Sequence, residues 1–278
     1  MKISAIVKIV RPINLFITFF SVIIAAIISS SFLELDFDVF IIALSVTFSF
    51  AAGNVINDII DFETDKINRP ERVLPKELLT IAFAKGLFVF LFIVSIILPF
   101  LVSIVFVVVL FALNLLLLLY STHLKKAPLL SNLVVAFATA VPLVLGGLAM
   151  DNMQGGLIPA GFAFFTNFIR EIIKDIEDIK GDSSIGVKTF PQIAGVKTTV
   201  HFSALLIILL IILDTFPYVY GIYNVEYFLI IMVVVNPILV YALKLIYSSL
   251  TLVTIRKISN LLKGSMIFGL FAILIGAQ

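Results

Sequence analysis

Long apolar runs, each near or above the roughly 18 residues that mark a membrane helix, recur along the whole chain. They predict nine membrane helices, at about 12–32, 38–62, 79–98, 100–120, 129–149, 156–178, 193–213, 218–247 and 259–277. Pro12, Pro99, Pro159 and Pro217 fall near the proposed ends, where proline is tolerated or stops a helix. Sixty-two per cent hydrophobic residues, 13% charge and a mean hydropathy of +1.22 leave no stretch for a separate soluble domain. The expectation is an all-α polytopic membrane protein with one domain over residues 1–278. The first apolar segment lacks a small-residue cleavage site, so it reads as a retained helix and not a signal peptide. Without cysteine, disulfides, thiolate metal sites and cysteine nucleophiles are excluded.

A nine-helix count sorts the charges cleanly. All 19 Lys and Arg residues fall in or beside one set of connections, including Lys8, Arg11, Lys66, Lys76, Lys85, Lys126, Lys180, Lys197, Lys244, Arg256, Lys257 and Lys263. The opposite connections carry Glu34, Asp36, Asp38, Asp151, Asp214 and Glu226, of which Asp36, Asp38, Asp151 and Asp214 read as solvated loop charges. The positive-inside rule then puts the N-terminus in the cytoplasm and the C-terminus outside.

Against this background one acidic spacing occurs twice. In NDIIDFETD the residues Asp58, Asp61 and Asp65 stand three and then four apart; in KDIEDIKGD the residues Asp175, Asp178 and Asp182 repeat this 117 residues later. On a helix turning about 100° per residue, each trio, with Asn54 in one copy and Glu171 in the other, falls within an arc of about 60°. Like charges at i,i+4 repel, and at a helix C-terminus the macrodipole disfavours them further. Stability alone does not ask for such stripes. Divalent cations would relieve the repulsion, because carboxylate oxygens suit Mg²⁺, which completes its octahedron with waters and phosphates. The matched offset suggests two parallel four-helix halves plus a ninth helix around a central cavity.

An Asp at the bilayer centre costs about 2.5 to 3.5 kcal/mol even on a lenient scale, so such carboxylates mark a hydrated functional site. Two acidic stripes, basic loops beyond them and a Phe-rich interior suit a substrate with a diphosphate head and a hydrocarbon tail. An ion-coupled transporter is the rival from another class, although its carboxylates would sit nearer the midplane and its repeats are commonly inverted. His123 and His201 are the only histidines and read as interfacial polar groups. Gly146 and Gly147 read as a close-packing pair.

The run Asn57-Asp58-x-x-Asp61-x-x-x-Asp65, the segment Asn68-Arg69-Pro70-Glu71-Arg72 and the run Asp175-x-x-Asp178-x-x-x-Asp182 together resemble the two aspartate-rich motifs of the UbiA superfamily of intramembrane prenyltransferases. The likeness spans the chain, including the Arg11-Pro12 start, the Tyr120-Ser121 segment ahead of Lys125 and the nine helices. Within the superfamily, the stretch Arg170 to Asp178 and the loop Arg69 to Pro75 most resemble the archaeal digeranylgeranylglyceryl phosphate synthases. That resemblance implies Mg²⁺-dependent transfer of a geranylgeranyl group from its diphosphate to the free hydroxyl of geranylgeranylglyceryl phosphate, a step of ether-lipid synthesis.

It further implies one Mg²⁺ at Asn57, Asp58, Asp61 and Asp65 and another at Asp175, Asp178 and Asp182, both engaging the donor diphosphate. Arg69, Arg72, Lys125 and Lys188 become candidates for phosphate contacts. Arg11, Asn14, Asn54, Tyr120, Glu171 and Lys174 complete the candidate substrate-binding set. The expected partners are a prenyl diphosphate, a lipid-like phosphate and the bilayer, with no nucleic acid. An aromatic prenyltransferase of quinone synthesis would share the metals and the donor and differ in the acceptor; a cationic acceptor pocket discriminates the two.

Overall fold

A computed structural model describes residues 2–30, 35–184, 189–248 and 250–277; within these, nothing is described of the side chains of residues 2, 68 and 180–184. The described residues are helical with no strand, and nine of their helical stretches are long and apolar enough to cross a membrane. In chain order the helices are α1 (Lys2–Val10), α2 (Pro12–Ser29), α3 (Phe37–Ile60), α4 (Phe62–Asn68), α5 (Ile81–Ile97), α6 (Ile104–Thr122), α7 (Leu130–Leu148), α8 (Met153–Ser184), α9 (Phe190–Ala194), α10 (Val196–Leu213), α11 (Phe216–Val219), α12 (Val225–Ile230), α13 (Asn236–Ile246) and α14 (Leu252–Gly276). A 3₁₀ turn at Leu98–Leu101 extends α5, and a π-helical turn at Ile231–Val235 joins α12 to α13 into one span.

Several boundaries depart from the sequence reading. The helix expected at 38–62 stops at Ile60 and restarts as α4, so the first acidic trio is divided over two helices. The one expected at 218–247 begins only at Val225, because Pro217 lies in the short α11 at the end of the preceding span. The last helix starts at Leu252, not 259, capped by the Thr251 hydroxyl, which accepts from the Thr254 amide at 3.2 Å. A short N-terminal helix, α1, had no apolar run to announce it.

The chain divides into two compact units. The first holds Met1–Lys125 and Pro142–Met153, the second Lys126–Val141 and Gln154–Gln278, so α7 is divided at its internal Pro142. In the first unit, buried Asn114 of α6 reaches Ser49 of α3 at 2.9 Å and Ser95 of α5 at 3.0 Å, a polar clasp among apolar helices. There α2 and α7 approach so closely that a Cβ on Gly146 would stand 2.3 Å from the Val22 carbonyl oxygen, which explains glycine at that position. Ala5 and Ile9 of α1 join Ala51, Ala52 and Val55 of α3 and Val73, Leu74 and Leu79 of the loop after α4 in one apolar cluster. This cluster pins both α1 and that loop beside the end of α3, which fixes where Arg11 and Arg72 can reach.

The second unit buries Ile169, Ile172 and Ile173 of α8 with Ile207, Tyr227 and Leu239. Asp214, expected as an outer solvated charge, is only 3% exposed there. Its backbone carbonyl accepts the Tyr227 hydroxyl at 2.6 Å, and its Oδ1 accepts from Asn236 Nδ2 at 3.4 Å. Helices α12 and α13 fold back over the end of α10 and cover a position that an isolated helix end would expose.

Candidate active site

The first acidic motif is built on a helix junction. The Asp61 amide donates to the Asn57 carbonyl at 2.9 Å, and the Asp65 amide to the Asp61 carbonyl at 2.7 Å, so helical bonding nearly continues across the break. Asp58 and Asp65 are each 4% exposed, far too buried to stay charged without partners. Arg72 supplies one for both: its Nη1 donates to Asp65 Oδ2 at 2.5 Å and to Asp58 Oδ1 at 3.3 Å. Arg11 Nη2 adds a second bond to Asp58 Oδ1 at 2.5 Å. Asp61 accepts from Asn57 Nδ2 at 3.0 Å and from Lys125 Nζ. Burial pushes the Asp65 carboxyl above its ordinary range, and the Arg72 guanidinium offsets only part of that push.

The repulsion within this stripe is therefore relieved by protein cations from three separate segments, where the sequence suggested metal alone. Arg11 is held for this task in a left-handed conformation, φ 60°, between α1 and α2. Asn54 Nδ2 donates to the Val10 carbonyl at 2.9 Å and ties α1 to α3. Asn14 lies exposed on the first turn of α2, and its carbonyl accepts the Thr18 hydroxyl at 3.0 Å. Arg69 is half-buried at the end of α4, and Tyr120 half-buried near the end of α6.

The second motif lies on one unbroken helix, α8, of 32 residues. Asp175 Oδ2 accepts from Asn132 Nδ2 at 3.0 Å, and Asn132 is buried on α7. Sequence reading missed Asn132; the available signal was an amide at the start of an apolar run. Glu171 accepts from Arg170 Nη1 at 2.8 Å and from Lys174 Nζ at 2.9 Å. Asp178 is half-buried one turn beyond Asp175. Lys188 and the side chain of Asp182 lie outside the described residues. His123 and His201 are exposed, with ring nitrogens 2.7 Å from Thr122 Oγ1 and the Lys197 carbonyl respectively.

Among the described residues no group of three or more His, Cys, Asp or Glu side chains is gathered as a ready metal centre. The donor chemistry still fits a hard divalent ion: the side chains of Asp58, Asp61 and Asp65, with the Asn57 amide oxygen, offer oxygen donors over the stretch 57–65. The cations now on those carboxylates are also the groups that would take phosphate oxygens.

The family model described as the UbiA prenyltransferase family matches residues 14–251. A protein of Methanosphaera stadtmanae named digeranylgeranylglyceryl phosphate synthase is 34% identical, covering 98% of each chain. One of the same name from Saccharolobus solfataricus is 34% identical over 100% of this chain and 98% of its own. A solved structure of a digeranylgeranylglyceryl phosphate synthase superposes with a TM-score of 0.81 at 31% identity, covering 99% of this chain and 98% of that one. A UbiA homologue of Archaeoglobus fulgidus, described as bound to DMAPP and Mg²⁺, shares the fold with a TM-score of 0.67 at 16% identity, covering 96% of this chain and 98% of that one.

Proposed function

The chain belongs to the UbiA prenyltransferase family and is a multi-pass membrane protein, and from that premise we propose that it transfers a geranylgeranyl group from geranylgeranyl diphosphate to the free hydroxyl of geranylgeranylglyceryl phosphate. The product carries the second ether bond of an archaeal membrane lipid. The observation that carries the reading is full-length likeness to digeranylgeranylglyceryl phosphate synthases, joined to an intact acidic motif whose carboxylates are gathered by Arg11, Arg72 and Lys125.

The whole chain acts as one prenyltransferase domain, with the N-terminus and the motif-bearing loops cytoplasmic and the C-terminus outside. Asn57, Asp58, Asp61 and Asp65 would hold one Mg²⁺, and Asp175, Asp178 and Asp182 another, each engaging the donor diphosphate. Bound there, the metal supplies charge neutralisation for the departing diphosphate. Arg72 and Lys125 exchange carboxylate for phosphate oxygens as the donor arrives, and the planar Arg72 fork keeps a bond on each side. The bond from prenyl C1 to the diphosphate oxygen breaks, and charge spread over an allylic carbon makes C1 the point of attack for the acceptor hydroxyl. That hydroxyl loses its proton to a carboxylate or to the departing diphosphate.

The test is turnover of geranylgeranyl diphosphate by purified protein with Mg²⁺, offering geranylgeranylglyceryl phosphate and 4-hydroxybenzoate in parallel, each repeated with EDTA. Product from the glyceryl phosphate alone, lost with EDTA, is the expected result. Product from the aromatic acid alone moves the protein to quinone synthesis and overturns the acceptor assignment.

A further inference from the structure

Two contacts in the second unit set the register of α8 against α14. Asn167 Nδ2 lies 3.3 Å from the Met266 sulfur, and Arg256 Nε donates to Glu177 Oε1 at 2.7 Å. The residue numbers of each pair sum to 433, so the two helices run antiparallel in one constant register over ten residues. In that register the residue opposite Arg170 is Lys263. The two cations do lie within electrostatic reach of each other.

Both lie deep in their spans. Lys263 is the twelfth residue of α14, about 16 Å along the axis from the helix start at 1.5 Å per residue. It is half-buried and has no ion pair among the described residues. Arg170 shares the single carboxylate of Glu171 with Lys174, and its Nε is buried without a hydrogen-bond partner. Arg170 thus stands between a carboxylate it shares with Lys174 and the Lys263 ammonium across the helix pair, with one donor of its own unmet. Facing cations inside a membrane span repel each other and contribute nothing to folding unless an anion joins them. Topology does not require Lys263, because Lys244, Arg256 and Lys257 already mark this side of the membrane at or near the helix ends.

We infer that Arg170 and Lys263 form the acceptor's phosphate site, a specificity pair that selects a phosphate monoester on the molecule being prenylated. The inference rests on the proposed reaction and adds the residues that make the acceptor choice. A phosphate monoester carries about 1.5 to 2 negative charges and three acceptor oxygens near neutral pH. That matches two facing cations, one with an unmet donor, and the guanidinium supplies the planar fork that phosphate oxygens fit. An aromatic acceptor would meet two uncompensated cations, which disfavours it.

Lys263→Met and Arg170→Gln, with Arg170→Lys as the charge-keeping control, are compared with the unaltered enzyme in detergent. Each is assayed with geranylgeranylglyceryl phosphate and with its dephosphorylated alcohol. Loss of one charge-assisted contact raises the acceptor KM about tenfold or more. The expected result is that rise in Lys263→Met and Arg170→Gln, an unchanged donor KM, recovery in Arg170→Lys, and near-equal use of the two acceptors. An unchanged acceptor KM in Lys263→Met, or a rise confined to the donor, overturns the inference while leaving the reaction in place. An unaltered enzyme that uses the alcohol as readily as the phosphate overturns the inference alone, and one that uses neither removes the proposed function and the inference together. Should Arg170→Gln fail to fold, Lys263→Met decides the matter, since methionine suits a membrane helix.

Discussion

The two acidic motifs share a spacing and little else. The first is broken at Asp61, and its three carboxylates accept from Arg11, Arg72, Lys125 and Asn57. The second runs along an unbroken α8, with a neutral amide from Asn132 on Asp175 and pairs of Glu171 with its own neighbours Arg170 and Lys174. Identical spacing sets only which helix face the carboxylates share. Their electrostatic surroundings come from other segments: the first motif draws on Arg11, Arg72 and Lys125, while contacts of the second include the Asn132 amide and the Glu171 pairs with Arg170 and Lys174. The first motif is therefore held by protein cations on all three of its carboxylates, and the second has two further cations, Arg170 and Lys174, on Glu171 a turn upstream.

The largest expected effect treats the motifs alike. Asp61→Ala and Asp178→Ala should each lower turnover by about 10²-fold or more while the protein stays folded in detergent, because under the proposed mechanism each removes a group that organises charge around the leaving diphosphate. Retained activity in both would end the reading of two cooperating motifs. The asymmetry should then show in stability. Arg72→Ala leaves Asp58 and Asp65 short of a buried counter-charge and should cost about 3 kcal/mol, read as a lower unfolding midpoint. Asn132→Ala, which removes one neutral donor, should cost about 1 kcal/mol; equal losses would mean that the motifs are supported alike after all.

A packing variant calibrates the scale away from charge. Gly146→Ala drives a methyl into the Val22 carbonyl and should destabilise by about 1 to 3 kcal/mol, with the acceptor KM unchanged in what remains folded. The smallest effect separates the buried from the exposed outer acids. Asp38→Ala and Asp151→Ala should lie within about 0.5 kcal/mol of the unaltered protein. Asp214→Ala, in contrast, empties a buried position beside Asn236 and should cost more than either. Indistinguishable melting of the three variants would return Asp214 to the solvated class.

The sequence by itself determined the helical character and nine candidate spans found among the described residues, the recurrence of acidic residues in two matched copies, and the family these motifs belong to. Those properties are local: hydrocarbon selects runs of apolar side chains, and helical period reads spacing off consecutive residues. Only the tertiary structure decided that Arg11 and Lys125, 47 and 64 residues away from their carboxylates, close the first motif. It also decided that Asp214 is covered and that Asn54 anchors α1. The same holds for Lys263, which the sequence placed at a loop edge and the early start of α14 carries three turns into a span, opposite Arg170. Spacing along a helix fixes the face on which a charge lies; which opposite charge reaches that face depends on how distant segments pack, and no local pattern encodes it.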